Sequence, residues 1–179
     1  MQERRRRNQR SFFNWRYFPK ERRRGNKRWA LLLILSIPAF FFCERYLLGA
    51  GRVVDVSMRP TLQEGSYFLI NKFIYRFTPP RRGDVVVLHP LNHARWRYVK
   101  RVVGEGGETL AIASGRVVVN GQPLEEPYAK GPTQPDMGPL LVPKGTCFVL
   151  GDNRQESEDS RVFGCVPLNR IEGKIRPRR

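Results

Sequence analysis

The residues of this chain that could do chemistry are serines, lysines and carboxylates, because histidine is scarce. The 179 residues include two histidines, His89 and His93. A protease of the Ser-His-Asp type would have to use one of them, whereas lysine is the known alternative base. Two imidazoles without a nearby cysteine or carboxylate cluster are most often surface residues. We therefore expect no metal ion and no cofactor.

Lysine can act as a general base only where the fold lowers its pKa. At its usual pKa of about 10.4, roughly one side chain in 2,000 is neutral at pH 7. Lowering the pKa to near 7 costs roughly 4 kcal/mol of desolvation, so the base must be a buried lysine. Of the seven lysines, Lys20 and Lys27 belong to a basic tail, and Lys130 and Lys144 lie in a segment rich in proline and glycine.

Lys100 is the lysine that strand alternation favours. In the segment 95–103, Trp96, Tyr98, Lys100 and Val102 share one face, on which Lys100 is the single charge. The arginines of the segment lie on the opposite face. The alternation fits equally well an edge-strand lysine whose charge prevents aggregation.

Ser57 is the candidate nucleophile. It follows a predicted strand, Arg52–Val56, and precedes a turn that Pro60 stiffens. A serine at a strand end can project its hydroxyl, although most such serines are structural. A third polar segment, 151–164, offers hydroxyls and an Asp–Arg pair, and taken alone it fits a solvated loop as well as a site.

Four segments, taken in order, resemble the type I signal peptidases, which are membrane-bound serine proteases with a Ser/Lys dyad. A single short motif would be weak support, whereas four in order behind a basic N-terminus and an apolar segment are specific. The matching segments are Ser57-Met58-Arg59-Pro60-Thr61-Leu62, Arg82-Gly83-Asp84-Val85-Val86-Val87, Tyr98-Val99-Lys100-Arg101-Val102-Val103-Gly104 and Gly151-Asp152-Asn153-Arg154, the last followed by Ser157, Asp159-Ser160-Arg161 and Gly164.

The resemblance implies a serine endopeptidase in which Ser57 attacks the scissile carbonyl. Lys100, neutral and buried, would take the proton of Ser57 and later protonate the leaving amine. Ser157 would hydrogen-bond the amine of Lys100 and orient it. The backbone N–H of Ser57 would supply part of the oxyanion hole.

The resemblance also implies supporting and substrate-binding residues. Asp159 would pair with Arg161, with Arg101 as a further partner, and so hold the loop behind the dyad. The substrate would be the signal peptide of an exported preprotein, bound as an added strand and cut after small residues. The walls of its shallow apolar pockets would be Val53, Val54, Leu62, Tyr98 and Val99.

One position departs from the resemblance. Many members of the family carry a serine two positions before the nucleophile, where its hydroxyl serves the oxyanion hole, and this chain has Asp55 there. An ionised carboxylate only accepts hydrogen bonds and would repel an oxyanion. Asp55 either points away, is protonated, or leaves the hole to the backbone alone, and we expect it to point away.

The positive charge of the chain is concentrated at its N-terminus. Residues 1–28 hold twelve basic and two acidic side chains, residues 29–48 one of each, and residues 49–179 twenty and thirteen, which together give the net charge of +17. A basic tail is typical of nucleic-acid binding, or of contact with anionic lipid at the cytoplasmic face of a membrane.

The segment that follows the tail favours the membrane. Residues 29–43 carry no charge, and a helix of this length spans about 22 Å against a hydrocarbon core of roughly 30 Å, a gap that flanking arginines could close by snorkelling. A cleaved signal peptide is the alternative, but the basic stretch is too long and no small-residue cleavage site follows. We expect a cytoplasmic tail (1–28), a single-pass anchor (29–48), an outer domain (49–179), lipid contact and no nucleic-acid partner.

The outer domain is predicted to be mostly antiparallel β-structure with a small inserted β arm at about residues 105–144. Asn120-Gly121 indicates a hairpin turn. Cys147 and Cys165 lie in this domain, where a disulfide is permitted but not demanded. Short β-branched and aromatic runs predict strands over Arg52–Val56, Tyr67–Lys72, Asp84–His89, Tyr98–Val103, Thr109–Ala113, Arg116–Asn120 and Thr146–Leu150.

Two other classes of protein fit part of the pattern. Self-cleaving phage and SOS-type repressors use related Ser/Lys chemistry, but they carry a helix-turn-helix and no apolar anchor. A membrane-tethered basic binding module would have no activity, so that Ser57 and Lys100 could each be replaced by alanine without consequence.

Overall fold

The computed structural model describes residues 27–91 and 95–177 of the chain. The predicted tail therefore lies outside the described residues, except for its last two positions. His93 also lies outside them. Two 3₁₀ helices lie at Ile74–Arg76 and Leu168–Arg170. The other elements, in chain order, are α1 (Lys27–Tyr46), β1 (Leu48–Arg52), β2 (Tyr67–Asn71), β3 (Val85–Leu88), β4 (Tyr98–Glu105), β5 (Thr109–Ala113), β6 (Arg116–Val119), β7 (Gln122–Pro123), β8 (Met137–Leu141), β9 (Thr146–Leu150), α2 (Ser160–Phe163), β10 (Val166–Pro167) and β11 (Ile171–Ile175).

Helix α1 covers most of the segment predicted as an anchor. Its large apolar side chains from Trp29 to Phe42 are exposed, and Pro38 lies inside the helix. In the two described ranges, no helix combines the length and the hydropathy that crossing a membrane requires.

The strands form two sheets. The larger has seven strands in the order β1-β2-β11-β3-β4-β9-β10, and the smaller has four in the order β7-β6-β5-β8. Every strand pairing is antiparallel, so the prediction of a mostly antiparallel β fold is confirmed. The smaller sheet is built entirely from residues 109–141, within the span predicted as an inserted arm.

The predicted strand Arg52–Val56 is wrong. The strand in this region is β1, which begins at Leu48 and ends at Arg52. Beyond it, the backbone of Val53 bonds to Ser66 and Gly65 in the turn before β2, and the Asp55 carboxylate takes the N–H of Val56. The sequence of β1, LGAGR, carries no β-branched or aromatic residue and therefore gave no strand signal.

The other six predicted strands are present with bounds that differ by at most two residues, while β7, β8, β10 and β11 were not predicted. The predicted hairpin turn is also present. Asn120 has a φ of 50° and Gly121 a φ of 79°, the two positive values that a type I′ turn needs.

Buried apolar side chains form clusters on the sheets. One cluster includes Met58 and Leu62, which hold down the segment that carries Ser57. Cys147 packs in a second cluster and Cys165 packs against a third, and both are free thiols.

Candidate active site

Ser57 and Lys100 meet in the larger sheet. The Lys100 Nζ lies 2.7 Å from the Ser57 Oγ, within hydrogen-bond distance. Both residues are buried, Ser57 at 4% and Lys100 at 2% exposure. A lysine amine in contact with a serine hydroxyl can remove the hydroxyl proton, provided the amine is neutral.

Strand β4 fixes the position of Lys100, because β4 lies between β3 and β9 in the larger sheet. Lys100 pairs with Val86 of β3, and the next residue, Arg101, pairs with Leu150 of β9. On the other side of the contact, Ser57 lies in a turn in which Leu62 N–H donates to the Met58 carbonyl. Met58 is 1% exposed, so burial of its side chain fixes the position of the adjacent serine.

Burial lowers the pKa of Lys100. Desolvation is the largest influence, because the charged amine loses water that nothing of equal strength replaces. The carboxylates of Asp159, Asp55 and Glu158 act in the opposite direction and favour the ammonium form. The net effect moves the amine toward the neutral state that a base needs.

The loop after β9 holds the backbone of the nucleophile. Asn153 N–H donates to the Ser57 carbonyl at 2.9 Å, and the Asn153 side-chain amide donates to the Val56 carbonyl at 3.3 Å. Gly151 makes this approach possible. A β-carbon at Gly151 would lie 2.2 Å from the Ser157 Oγ and 2.7 Å from the Ser57 carbonyl oxygen.

Ser157 is the predicted orienting residue. Its Oγ is buried against Gly151 and has no hydrogen-bond partner among the residues that the structure describes. The Lys100 amine contacts the Ser57 hydroxyl and not that of Ser157.

Asp159 and Arg161 form the pair that the resemblance implied. Arg161 Nε donates to Asp159 Oδ1 at 2.8 Å, and Arg161 Nη2 donates to Asp159 Oδ2 at 2.7 Å. Asp159 also accepts from the Gly151 N–H at 3.0 Å and begins α2 as its N-cap. The pair therefore closes the loop on which Ser157 lies.

Arg101 pairs with Asp152 rather than with Asp159. Its Nε and Nη2 donate to the two carboxylate oxygens at 2.8 and 2.7 Å. Its Nη1 donates to the Gly83 carbonyl, and its guanidinium lies 3.9 Å from the centre of the Tyr128 ring. The expectation of an Arg101–Asp159 pair fails because successive strand residues point to opposite faces, and Asp152 lies on the Arg101 side.

Two supporting residues were missed from the sequence. Arg154 is 2% exposed, donates to the Gly151 carbonyl at 3.0 Å, and makes a two-point pair with Glu126 at 2.6 and 2.9 Å. Arg154 lies in the polar segment already singled out, and its isolation among small residues was the available signal. Glu126 gave no signal in the sequence, because its partner Arg154 is 28 positions away.

A groove of about 530 Å³ opens beside the dyad. The five predicted pocket residues all line it, together with Ser57, Lys100 and Asp55. Asp55, which we expected to point away from the oxyanion hole, is one of the residues that line this groove. It is exposed, and its Oδ1 accepts from the Val56 N–H at 2.7 Å.

Metal ligation finds no support in the described ranges, which contain no group of three His, Cys, Asp or Glu side chains able to hold an ion. His89 lies beside Glu172, with 3.6 Å between the His89 Nε2 and a carboxylate oxygen. The polar side chains of the site in the described ranges include a hydroxyl, an amine and three arginine–carboxylate pairs.

Proteins of similar sequence identify the family of this chain. Residues 26–178 match the family model for signal peptidase, peptidase S26. A signal peptidase I from Leptolyngbya laminosa is 41% identical over 155 residues, which are 81% of this chain and 72% of the relative. One from Bacillus caldolyticus is 34% identical over 174 residues, 87% of this chain and 91% of the relative.

A crystal structure of a signal peptidase I from Enterococcus faecalis V583 is 33% identical, with a TM-score of 0.48 over 54% of this chain and 97% of that one. The family match spans most of this chain, and the relatives are aligned over most of their own length. The chain therefore belongs to the signal peptidase family, peptidase S26, and is a serine endopeptidase of the type I signal peptidase class.

Proposed function

We propose that this chain cleaves signal peptides from exported preproteins, with Ser57 as nucleophile and Lys100 as general base. The observation that carries the proposal is the 2.7 Å contact between the Lys100 amine and the Ser57 hydroxyl in a buried setting. Burial that lowers the pKa of a lysine is the condition under which it can accept a proton near neutral pH.

The reaction follows in two halves. Ser57 Oγ bonds to the scissile carbonyl carbon while its proton moves to the Lys100 Nζ. The ammonium then gives that proton to the leaving amine, and the signal peptide remains as an ester on Ser57. In the second half Lys100 takes a proton from water, which attacks the ester. The bond between the acyl carbon and Ser57 Oγ then breaks, the acid leaves, and Lys100 returns the proton to Ser57 Oγ.

The oxyanion would be stabilised by backbone. The N–H of Ser57 makes no backbone hydrogen bond with any described residue, so it is available to a developing negative charge. The N–H of Val56 is taken by Asp55 and does not serve. Ser157 would orient the Lys100 amine, and its buried Oγ without a partner supports that role.

The substrate would bind as an added strand along β4. Strand β9 ends at Leu150, opposite Arg101, so Tyr98, Val99 and Lys100 have no β9 partner along that edge. Val54, on the opposite wall, is 82% exposed. A strand laid between them would place alternate side chains against Val53, Leu62 and Val99, whose close apolar walls favour small residues.

Helix α1 would be the membrane anchor, with the basic tail in the cytoplasm and the sheets on the outer side. Its run of exposed apolar side chains supports this assignment, because such a surface is unfavourable in water. The many arginines before it fit the cytoplasmic side, where protein segments next to a membrane helix carry an excess of Lys and Arg. Accessibility of single cysteines placed before and after α1 to an impermeant thiol reagent, on intact and on lysed spheroplasts, tests the orientation.

The cleavage assay tests the proposal. Purified protein in detergent is mixed with a preprotein, and the variants Ser57→Ala and Lys100→Ala are compared with wild type. We expect cleavage by wild type at the signal-peptide junction and none by either variant. Val162→Ala, an exposed change in the same domain, serves as control. Cleavage by both dyad variants would contradict the Ser57–Lys100 assignment, whereas no cleavage by wild type would favour the inactive binding module.

A further inference from the structure

Asp55 is a carboxylate held in a fixed position beside the nucleophile. It precedes Ser57 by two residues and lines the same groove. Its Oδ1 accepts the Val56 N–H at 2.7 Å, so the side chain is anchored although it is exposed to solvent. A bound substrate would therefore meet its charge at a defined place.

Two other carboxylates at the site are paired with arginines, and Glu158, which also lines the groove, accepts from the Tyr98 hydroxyl at 3.0 Å. Asp159 is paired with Arg161, and Asp152 with Arg101, each through two hydrogen bonds. Asp55, by contrast, makes no salt bridge with any residue in 27–91 or 95–177. Its negative charge is left for the substrate to encounter.

Arginines also line the groove. Arg97 lies three residues before Lys100, about 10 Å along an extended strand, and its Nε is held 3.0 Å from a carboxylate oxygen of Glu172. Arg52 lines the groove as well, and its Nε donates to the Gly65 carbonyl. Asp55 differs from both in the sign of its charge and in its place two residues before the nucleophile.

We infer that Asp55 is a specificity-determining residue, which disfavours acidic side chains and favours basic ones at the substrate positions beside the scissile bond. The inference rests on the proposed function, because it assumes that the groove holds the substrate. A charge within a few ångströms of Asp55, in a groove that excludes part of the water, interacts with it more strongly than in bulk solvent. Sequence preference at these positions then follows from charge as well as from size.

The test uses peptides that differ only in charge. Two signal-peptide substrates carry either Lys or Glu at both the second position before the cut and the first position after it. Rates are measured for wild type and for Asp55→Asn, which keeps an oxygen for the Val56 N–H and removes the charge. The control is Asp136→Asn, since Asp136 is also exposed and also accepts from backbone N–H groups, those of Ser114 and Gly115.

We expect wild type to cleave the Lys peptide about tenfold faster than the Glu peptide in kcat/KM at low salt. The ratio should fall to about two in Asp55→Asn and stay near ten in Asp136→Asn. Any change in the basicity of Lys100 alters both peptides equally and cancels in the ratio. A ratio that is the same in Asp55→Asn as in wild type would overturn the inference.

Measurements of peptide binding distinguish a failure of this inference from a failure of the proposed function. Affinities of the same two peptides for Ser57→Ala, with and without Asp55→Asn, are measured by fluorescence anisotropy. If wild type cleaves neither peptide, the proposed function fails, while the affinity ratio still tests the role of Asp55. Equal affinities for the Lys and Glu peptides in the presence of Asp55 would contradict that role.

Discussion

Lys100 and Arg101 are consecutive residues of β4, and both are buried. Arg101 makes a two-point pair with Asp152, donates to the Gly83 carbonyl and stacks on Tyr128. Lys100 contacts the hydroxyl of Ser57 and no carboxylate closely. Arginine keeps its proton at every accessible pH, so its surroundings must supply a counter-charge, whereas lysine can lose its proton when burial lowers its pKa. One strand thus presents a structural cation on one face and a potential base on the other.

Replacing Lys100 with arginine is the strongest test of the difference between Lys100 and Arg101. Lys100→Arg carries a permanent charge and cannot act as a base, and we expect a loss of activity of about 10⁴-fold or more, as for Lys100→Ala. Arg101→Lys keeps its charge and should lose less than about tenfold. Initial cleavage rates measure both. Activity within tenfold of wild type in Lys100→Arg would mean that the lysine is a structural cation.

Removing the counter-charge of Arg101 should destabilise the fold. Asp152→Ala leaves a buried guanidinium without its carboxylate, and we expect the free energy of unfolding to fall by about 3–5 kcal/mol. Urea unfolding followed by tryptophan fluorescence measures it. The exposed Asp136→Ala is the control. A loss below about 1 kcal/mol would show that water solvates the charge of Arg101 well enough to replace the carboxylate. Arg101 would then differ less from Lys100 in its need for a counter-charge.

Gly151 tests how closely the loop must approach the dyad. Gly151→Ala puts a β-carbon 2.2 Å from the Ser157 Oγ and 2.7 Å from the Ser57 carbonyl oxygen, so the loop must move. We expect about 1–3 kcal/mol of destabilisation and at least a hundredfold loss of kcat. Gly138→Ala, where no atom lies within 4 Å, should behave like wild type. Wild-type kcat in Gly151→Ala would show that the loop position does not matter.

The smallest effect concerns the charges around Lys100. Asp55 favours the ammonium form of Lys100, so Asp55→Asn should lower the pKa of the amine further. The base then becomes neutral at lower pH, and the acid limb of the rate profile moves to lower pH. Profiles of kcat/KM for the two proteins measure the shift. Movement to higher pH would contradict the sign of this interaction.

The sequence predicted the parts of the fold that local patterning determines. Thr109–Ala113 and Arg116–Val119 alternate clearly, and Asn120-Gly121 demands a turn between them. Strand β1 was not predicted, because its glycines and alanine carry no β signal. It pairs with β2, whose Leu69 and Tyr67 face solvent. Strand β10 has two residues, too few for any pattern.

The motifs of the candidate site could be predicted from the sequence, whereas most of its arginine–carboxylate pairs could not. Asp159 and Arg161 are two residues apart and were paired correctly, because the contact is local. The partners of Arg101 and Arg154 are 51 and 28 residues away, and only the strand register determines which carboxylate each one meets. That Asp55 points away from the oxyanion hole stays a prediction, while its hydrogen bond to the next N–H could not be read from residue types alone.

The most direct test of the account is the pH dependence of kcat/KM for signal-peptide cleavage by the wild-type protein. Because the base must be neutral, the rate should rise with pH through the pKa of Lys100 and then level off. Burial predicts that this rise occurs well below the usual lysine pKa of about 10.4. A rise centred at 10 or above would show that Lys100 titrates like a solvated lysine and would contradict the dyad.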